Sequence, residues 1–237
     1  DGINMRNKVI FENFDDLNFF VEMGAVKKDS ACVIKGAGIK VGNLYINKNK
    51  KEIPTITLLA RMLKDKGVRE FVAAAKKLNS KKLNGRFLLV GDTDPLNPSS
   101  LDQLTLKKWN DENIIEWKGW VNDTESILKE TDILCLPSYR EGLPKSLLEG
   151  AALGLPIVTT NTVGCRDVVQ DGINGFLVPI KNIDQLANKI YELIINKSLR
   201  EQMGRESYKI ALSKFESSII ISQTLKVYKE LSFEIGD

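Results

Sequence analysis

The chain of 237 residues contains no histidine. That removes the commonest general acid and base near neutral pH, and the usual partner of a serine or cysteine nucleophile. Only three cysteines are present, Cys32, Cys135 and Cys165, far apart and without a Cys-x-x-Cys spacing. An odd, scattered set argues against a disulfide framework, and without histidine it leaves no ordinary zinc site. Cys135 lies in the apolar run DILCLP and is expected to be a small core residue, as in a protein of the reducing cell interior. No window approaches the roughly 18 consecutive apolar residues of a membrane-spanning helix. The first residues, DGINMRNKVIFENF, lack the charged-then-apolar pattern of a signal peptide. An excess of one charge is also lacking: 34 Lys+Arg face 31 Asp+Glu, a net +3. Lysine pairs at 27–28, 76–77, 81–82 and 107–108 are scattered between elements. They read as solvated faces, so no nucleic-acid partner is expected.

What is there is an ordinary globular composition, 43% hydrophobic and 27% charged, in a chain long enough to bury a core. Short apolar runs alternate with amphipathic ones. ITLLA (56–60), FLLVG (87–91), NIIEWKG (113–119), DILCLP (132–137) and PIVTT (156–160) read as strands. Between them, 68–78 puts Val68, Phe71, Val72, Ala75 and Leu78 on one helical face. Further helices are expected near LDQLTLKKW, after Asp123 and from about Pro144. This pattern implies an α/β fold, a doubly wound parallel sheet. Residues 183–196, 199–213 and 216–231 read as a helical C-terminal tail. A polar, lysine-rich stretch at 46–54 separates all this from a strand–helix–strand pattern at 8–39, too small to bury a core alone. The expected organisation is therefore an N-terminal remnant (1–45), a linker (46–54), a ligand-binding domain (55–215) and a crossover helix (216–237).

Ligands of open parallel sheets bind beyond the carboxyl ends of the strands. The residues there are Arg61 and Lys66 after the first strand, Gly91 and Asp92 after the second, Gly119–Val121 after the third, Ser138–Gly142 after the fourth, and Asn161–Arg166 after the fifth. Arg61 and Lys66 can clamp a diphosphate without a metal, although a surface loop would also carry two such cations. The EGLPK turn leads into a helix whose free first-turn amides favour an anion, and Gly142 lets the main chain approach closely. Glu141 and Glu149, if joined by helix, lie roughly 10–12 Å apart. That exceeds the roughly 5–9.5 Å of two glycosidase carboxylates acting on one bond. It suits two acids gripping hydroxyls at opposite ends of a long ligand such as a nucleotide sugar; two solvated glutamates would look the same.

Together, ARMLKDKG and EGLPKSLLEGAALGLPIVTTNTVGCRDVVQDGINGFLVP resemble the donor half of the family 4 (group 1) retaining glycosyltransferases, which have the GT-B fold. The resemblance covers residues from about 8 to the C-terminus. Its Glu-x7-Glu signature is met by Glu141 and Glu149, its Arg and Lys five residues apart by Arg61 and Lys66, and its Gly-x-Val turn by Gly119, Trp120 and Val121. The resemblance implies that Arg61 and Lys66 bind the donor diphosphate and stabilise the leaving group. It implies that Glu149 holds the ribose and that Glu141 contacts the donor sugar. Amides around Gly142, Leu143 and Lys145 would serve sugar and phosphate, Gly91 would line the site, and Val121 would meet the base. Catalysis would rest on Glu141, Arg61 and Lys66, with neither metal nor cofactor. The donor would be a nucleotide sugar, UDP-linked, carrying a hexose or N-acetylhexosamine. The acceptor would be a glycan or lipid-linked sugar of bacterial surface polysaccharide synthesis, handled in the cytoplasm at the inner face of the membrane.

Two departures qualify the resemblance. The family's first domain is represented only by 8–45, and GAGIK stands where Gly-Ser-Gly-Val-Asp is usual. The expectation is an excised fragment, or one subunit of a split enzyme, that binds donor but does not transfer alone. The alternative is a noncatalytic nucleotide-sugar-binding subunit or sensor. An epimerase of the same architecture would need acid and base groups, often histidine, that the chain lacks. A glycosidase is disfavoured by the carboxylate spacing.

Overall fold

The fold is described from a computed structural model covering residues 7–36, 38–43, 53–80 and 85–233. Most of the 46–54 linker and the Lys81–Lys82 pair lie outside the described residues. Six strands form one sheet: β3 (Thr55–Leu59), β4 (Arg86–Val90), β5 (Glu116–Trp117), β6 (Ile133–Leu136), β7 (Ile157–Thr160) and β8 (Gly175–Val178). Their order is β5-β4-β3-β6-β7-β8, and every neighbouring pair is parallel. The chain steps outward from β3 to β5, returns to β6 beside β3, then steps outward the other way. This reversal opens a crevice between the carboxyl ends of β3 and β6.

The near-continuous apolar strands follow from burial on both faces. Along β3 and β6, Ile56, Leu58, Ile133 and Cys135 join Phe71 and Val72 of α2 (Val68–Ser80) and Ile190 of α7 (Ile183–Ile195). The alternate residues Leu134 and Leu136 face Leu147 and Ala151 of α5 (Lys145–Ala152) and Ala211 of α8 (Lys197–Lys214). Each fully buried leucine or phenylalanine contributes on the order of 1.5–3 kcal/mol. Shorter helices beside the sheet are α3 (Gln103–Asp111), α4 (Thr124–Glu130) and α6 (Cys165–Val168), and Asp102, Asp123 and Asn182 cap α3, α4 and α7 by accepting a first-turn amide.

Several boundaries differ from the sequence reading. The third strand is only Glu116–Trp117, because α3 unwinds through Asn113 at φ 54 before the chain can extend. Helix α5 begins at Lys145, with Pro144 extended at ψ 111 just before it. Strand β8 and helix α6, four residues each, gave too short a pattern to register.

A separate two-stranded parallel sheet, β1 (Val9–Phe11) and β2 (Ala31–Val33), carries α1 (Phe14–Glu22). β2 is shorter than the expected 31–39. Asn13 caps α1, its Oδ1 accepting the Asp16 amide at 2.7 Å, and Asp15 and Asp16 favour the positive helix end. The last helix, α9 (Ser217–Phe233), packs Ile220 and Val227 against Ile34 of this unit. The two chain passages between this unit and the larger sheet are stitched together: Ile39 N donates to Phe215 O at 2.8 Å, and Ser217 N donates to Ile39 O at 3.0 Å. The three cysteines are free, with Cys135 and Cys165 buried. Among the described residues, no helix is long and apolar enough to cross a membrane.

Candidate functional site

The loop after β3 carries Arg61, then a single 3-10 turn at Lys64–Lys66 ending on Gly67. Gly67 has φ 71, and a Cβ there would lie 2.1 Å from the Pro137 carbonyl oxygen. Only glycine allows this contact, which presses the loop after β3 against the exit of β6. Two hydrogen bonds fix the approach: Ser138 Oγ and Tyr139 N donate to the Asp65 carbonyl at 3.0 and 2.8 Å. Behind them, Tyr139 Oη donates to Glu70 Oε1 at 2.6 Å. Burial, then the Glu70 carboxylate, pushes this phenol above the usual tyrosine range, so it remains a donor.

The consequence is a close ion pair. Lys66 Nζ lies 2.7 Å from each Glu141 carboxylate oxygen, with the side chains only 22% and 10% exposed. The backbone at Glu141 is fixed as well: its amide donates to Val163 O at 3.2 Å. Gly164, at φ 78, sits where a Cβ would be 2.5 Å from the Gly142 carbonyl oxygen. Thr160 Oγ1 donates to the Ser138 carbonyl from below. From the smaller unit, Asn13 Nδ2 donates to Gly142 O at 3.1 Å. Glu12 also reaches Gly142: its Oε2 would lie 2.3 Å from a Cβ built there.

Arg61, 59% exposed, pairs with Asp94 at 2.7 Å. Asp94 is oriented by its amide, which donates to Ser100 Oγ at 2.9 Å. Lys145 lies one helical turn before Glu149, 3.5 Å from its carboxylate. Pro144 offers no side-chain cap to α5, so the amides of Lys145 and Ser146, residues that line the crevice, have none.

These groups surround one cavity of about 430 Å³, lined by Arg61, Lys66, Val121, Glu141, Lys145 and Glu149 among others. Trp120 stands at its edge, 72% exposed, its indole donating to Asn122 Oδ1 at 3.1 Å. A second cavity of about 530 Å³ shares Glu149 and Thr124 and extends toward Ile39–Asn43. Among the described residues, Gly91, Gly142 and Leu143 do not line the first cavity. Gly91 packs β4 against β3, its amide donating to Gly119 O at 2.8 Å, and its carbonyl accepts Trp117 Nε1 at 2.9 Å. Leu143 turns toward Gly36. Glu141 belongs to the loop and Glu149 to α5, so the rise per helical residue does not set their separation; both still line the same space.

The sequence reading missed Asp94, Asn13 and Glu12. Asp94 follows β4 within the same rim and could have been found by extending that loop. Asn13 carried a helix-start signal, with Asp15 and Asp16 behind it, but nothing local tied it to Gly142. Chemically, the arrangement offers two cations and free helix amides for a polyanion, with carboxylates on either side for hydroxyl groups.

Comparisons with known proteins show the family. Residues 45–210 match the model of the family described as glycosyl transferases group 1. The chain is 32% identical over 240 residues to the N,N'-diacetylbacillosaminyl-diphospho-undecaprenol alpha-1,3-N-acetylgalactosaminyltransferase of Campylobacter jejuni, covering 96% of this chain and 61% of that protein. It is 29% identical to the capsular polysaccharide biosynthesis glycosyltransferase CapM of Staphylococcus aureus, covering 95% of this chain and 59% of that one. It thus spans about three-fifths of the length of these relatives. Among solved structures, Anabaena HepE in complex with UDP superimposes with a TM-score of 0.82 at 20% identity, covering 94% of this chain and 64% of that one.

Proposed function

The chain belongs to the group 1 glycosyl transferases, and from that premise we propose that it forms the donor-binding half of a retaining enzyme that moves a hexose or N-acetylhexosamine from a UDP-linked donor to a glycan or lipid-linked acceptor. The observation that carries this reading is the convergence of Arg61, Lys66, Glu141 and Glu149 on one cavity at the strand-order reversal. Arg61 and Lys66 bind the diphosphate, helped by the amides of Lys145 and Ser146. Glu149 accepts the ribose hydroxyls, Val121 and the adjoining backbone meet the base, and Glu141 accepts from the sugar.

In the reaction, the bond between the anomeric carbon and the phosphate oxygen breaks first, with charge growing on the diphosphate. Lys66 and Arg61 stabilise that charge where it develops. The acceptor hydroxyl then bonds to the anomeric carbon on the face the diphosphate has left, and its proton passes to the departing phosphate oxygen. No side-chain base is required for that step. The diphospho-undecaprenol substrate in the name of the Campylobacter relative supports the lipid-linked acceptor class, and work at a membrane surface is part of the same proposal. Titration calorimetry with UDP, GDP and ADP tests the reading. UDP is expected to bind best, and Lys66→Ala is expected to weaken it more than tenfold. Equal, weak binding of all three by both proteins would reject the donor site.

A further inference from the structure

We propose that Glu141 is a selector: through its pairing with Lys66 it disfavours a sugar-free nucleoside diphosphate relative to the intact nucleotide sugar. The inference rests on the donor-site reading above and adds to it a preference between donor and product.

Lys66 Nζ donates to both Glu141 oxygens at 2.7 Å. The pair is anchored from both sides, by the Asp65 carbonyl contacts of Ser138 and Tyr139 and by the Val163 carbonyl on the Glu141 amide. A lysine ammonium has three donors in tetrahedral directions. A phosphate oxygen bound to Lys66 at an ordinary hydrogen-bond distance therefore sits only about 4.6 Å from the Glu141 oxygens. At that separation, in a largely buried pair, the carboxylate repels whatever negative charge the phosphate carries.

The two ligands differ in that charge. In a nucleotide sugar, the distal phosphate is joined to the inner phosphate by an anhydride bond and to the sugar by an ester bond, and carries a single negative charge. Once the sugar has left, the terminal phosphate has a second ionisation near pH 6 and carries about −1.5 to −2 at neutral pH. Free diphosphate thus brings more charge to the same place. It also brings no sugar hydroxyl for Glu141 to accept from, so its repulsion is not offset by a hydrogen bond. Glu141 acts differently on the two states, which is what selection requires. Arg61 cannot take this role, because its counter-charge, Asp94, lies outside the residues lining the cavity. The consequence for turnover is faster release of the spent nucleotide.

The test is calorimetric titration of the 237-residue chain and of Glu141→Gln, using whichever of UDP, GDP and ADP the unsubstituted chain binds best, and the corresponding glucose and N-acetylglucosamine nucleotides. Glutamine keeps the shape and an acceptor while removing the charge. The diphosphate should bind about tenfold more tightly to Glu141→Gln, with the sugar nucleotides changing less than threefold or weakening. Glu141→Ala should retain the gain for the diphosphate and weaken the sugar nucleotides further; it also serves if Glu141→Gln fails to fold. If both ligand classes tighten equally, or if the diphosphate binds no better to either variant, the selector role is overturned while the donor site stands. If the unsubstituted chain binds neither the three diphosphates nor the corresponding sugar nucleotides, the donor site and the selector fall together.

Discussion

The six-stranded sheet and the small β1–α1–β2 unit are held by different forces. The sheet buries apolar side chains on both faces, with Ile56, Leu58, Phe71, Leu88, Leu89 and Leu134 fully enclosed. In the small unit, α1 buries no residue, and Phe14, Phe19, Phe20 and Met23 are exposed. Its attachment beside the cavity is mostly polar: Asn13 to the Gly142 carbonyl, Asp16 to Arg140, Asp15 to Arg166, and Lys35 to Asp167. The more exposed of these ion pairs, Asp15–Arg166 and Asp16–Arg140, each contribute little, on the order of 0.2–1 kcal/mol, and weaken with salt. The lesson is that the platform for the ligand is built by burial, while the neighbouring unit is fastened by contacts that a change in ionic strength can loosen.

That contrast can be broken at either end. The largest effect is expected at Leu58→Ala, where a cavity in the sheet core should cost about 3 kcal/mol by denaturant unfolding, independent of salt. Next comes Gly67→Ala, with a cost of about 2 kcal/mol. Its left-handed backbone and the nearby Pro137 carbonyl leave no place for a methyl group. Diphosphate affinity should fall with it, because Lys66 is displaced. A wild-type calorimetric titration from Gly67→Ala would show that the tight approach is irrelevant to the site. Asn13→Ala should cost about 1 kcal/mol through loss of the α1 cap. It should also raise hydrogen exchange at Asp16, whose amide Asn13 accepts, while exchange in β3 and β6 stays unchanged. The smallest effect is the coupling between Asp16→Asn and Arg140→Gln, below about 1 kcal/mol in a double-mutant cycle and vanishing near 1 M salt. A salt-independent coupling would mean the attachment is not electrostatic.

Much of this was legible in the sequence, for identifiable reasons. DILCLP read as a strand covered on both faces and ITLLA as a short apolar strand, and they are β6 and β3 of the reversal. Arg61, Lys66 and Glu141 were singled out because each lies shortly after a strand end, which is visible locally, and Glu149 because of its spacing from Glu141 and the family resemblance. What escaped was of two kinds. Short elements such as β8 and α6 carry fewer residues than one period of a reliable pattern. Contacts such as Asn13 to Gly142, 129 positions apart, have no local trace at all. The bond between Lys66 and Glu141 was of this second kind: both residues were singled out, but as grips on separate parts of a ligand. Only the approach of Gly67 to Pro137 makes them partners.

The stitch between Ile39 and the Phe215–Ser217 segment constrains how the two parts can move. The chain passes between them twice, and here the two passages lie side by side, bonded to each other like the leaves of a single pin. Twisting one part against the other would tear both hydrogen bonds, and swinging about the line they share would first have to part Asn13 from Gly142, Asp16 from Arg140, Asp15 from Arg166 and Lys35 from Asp167.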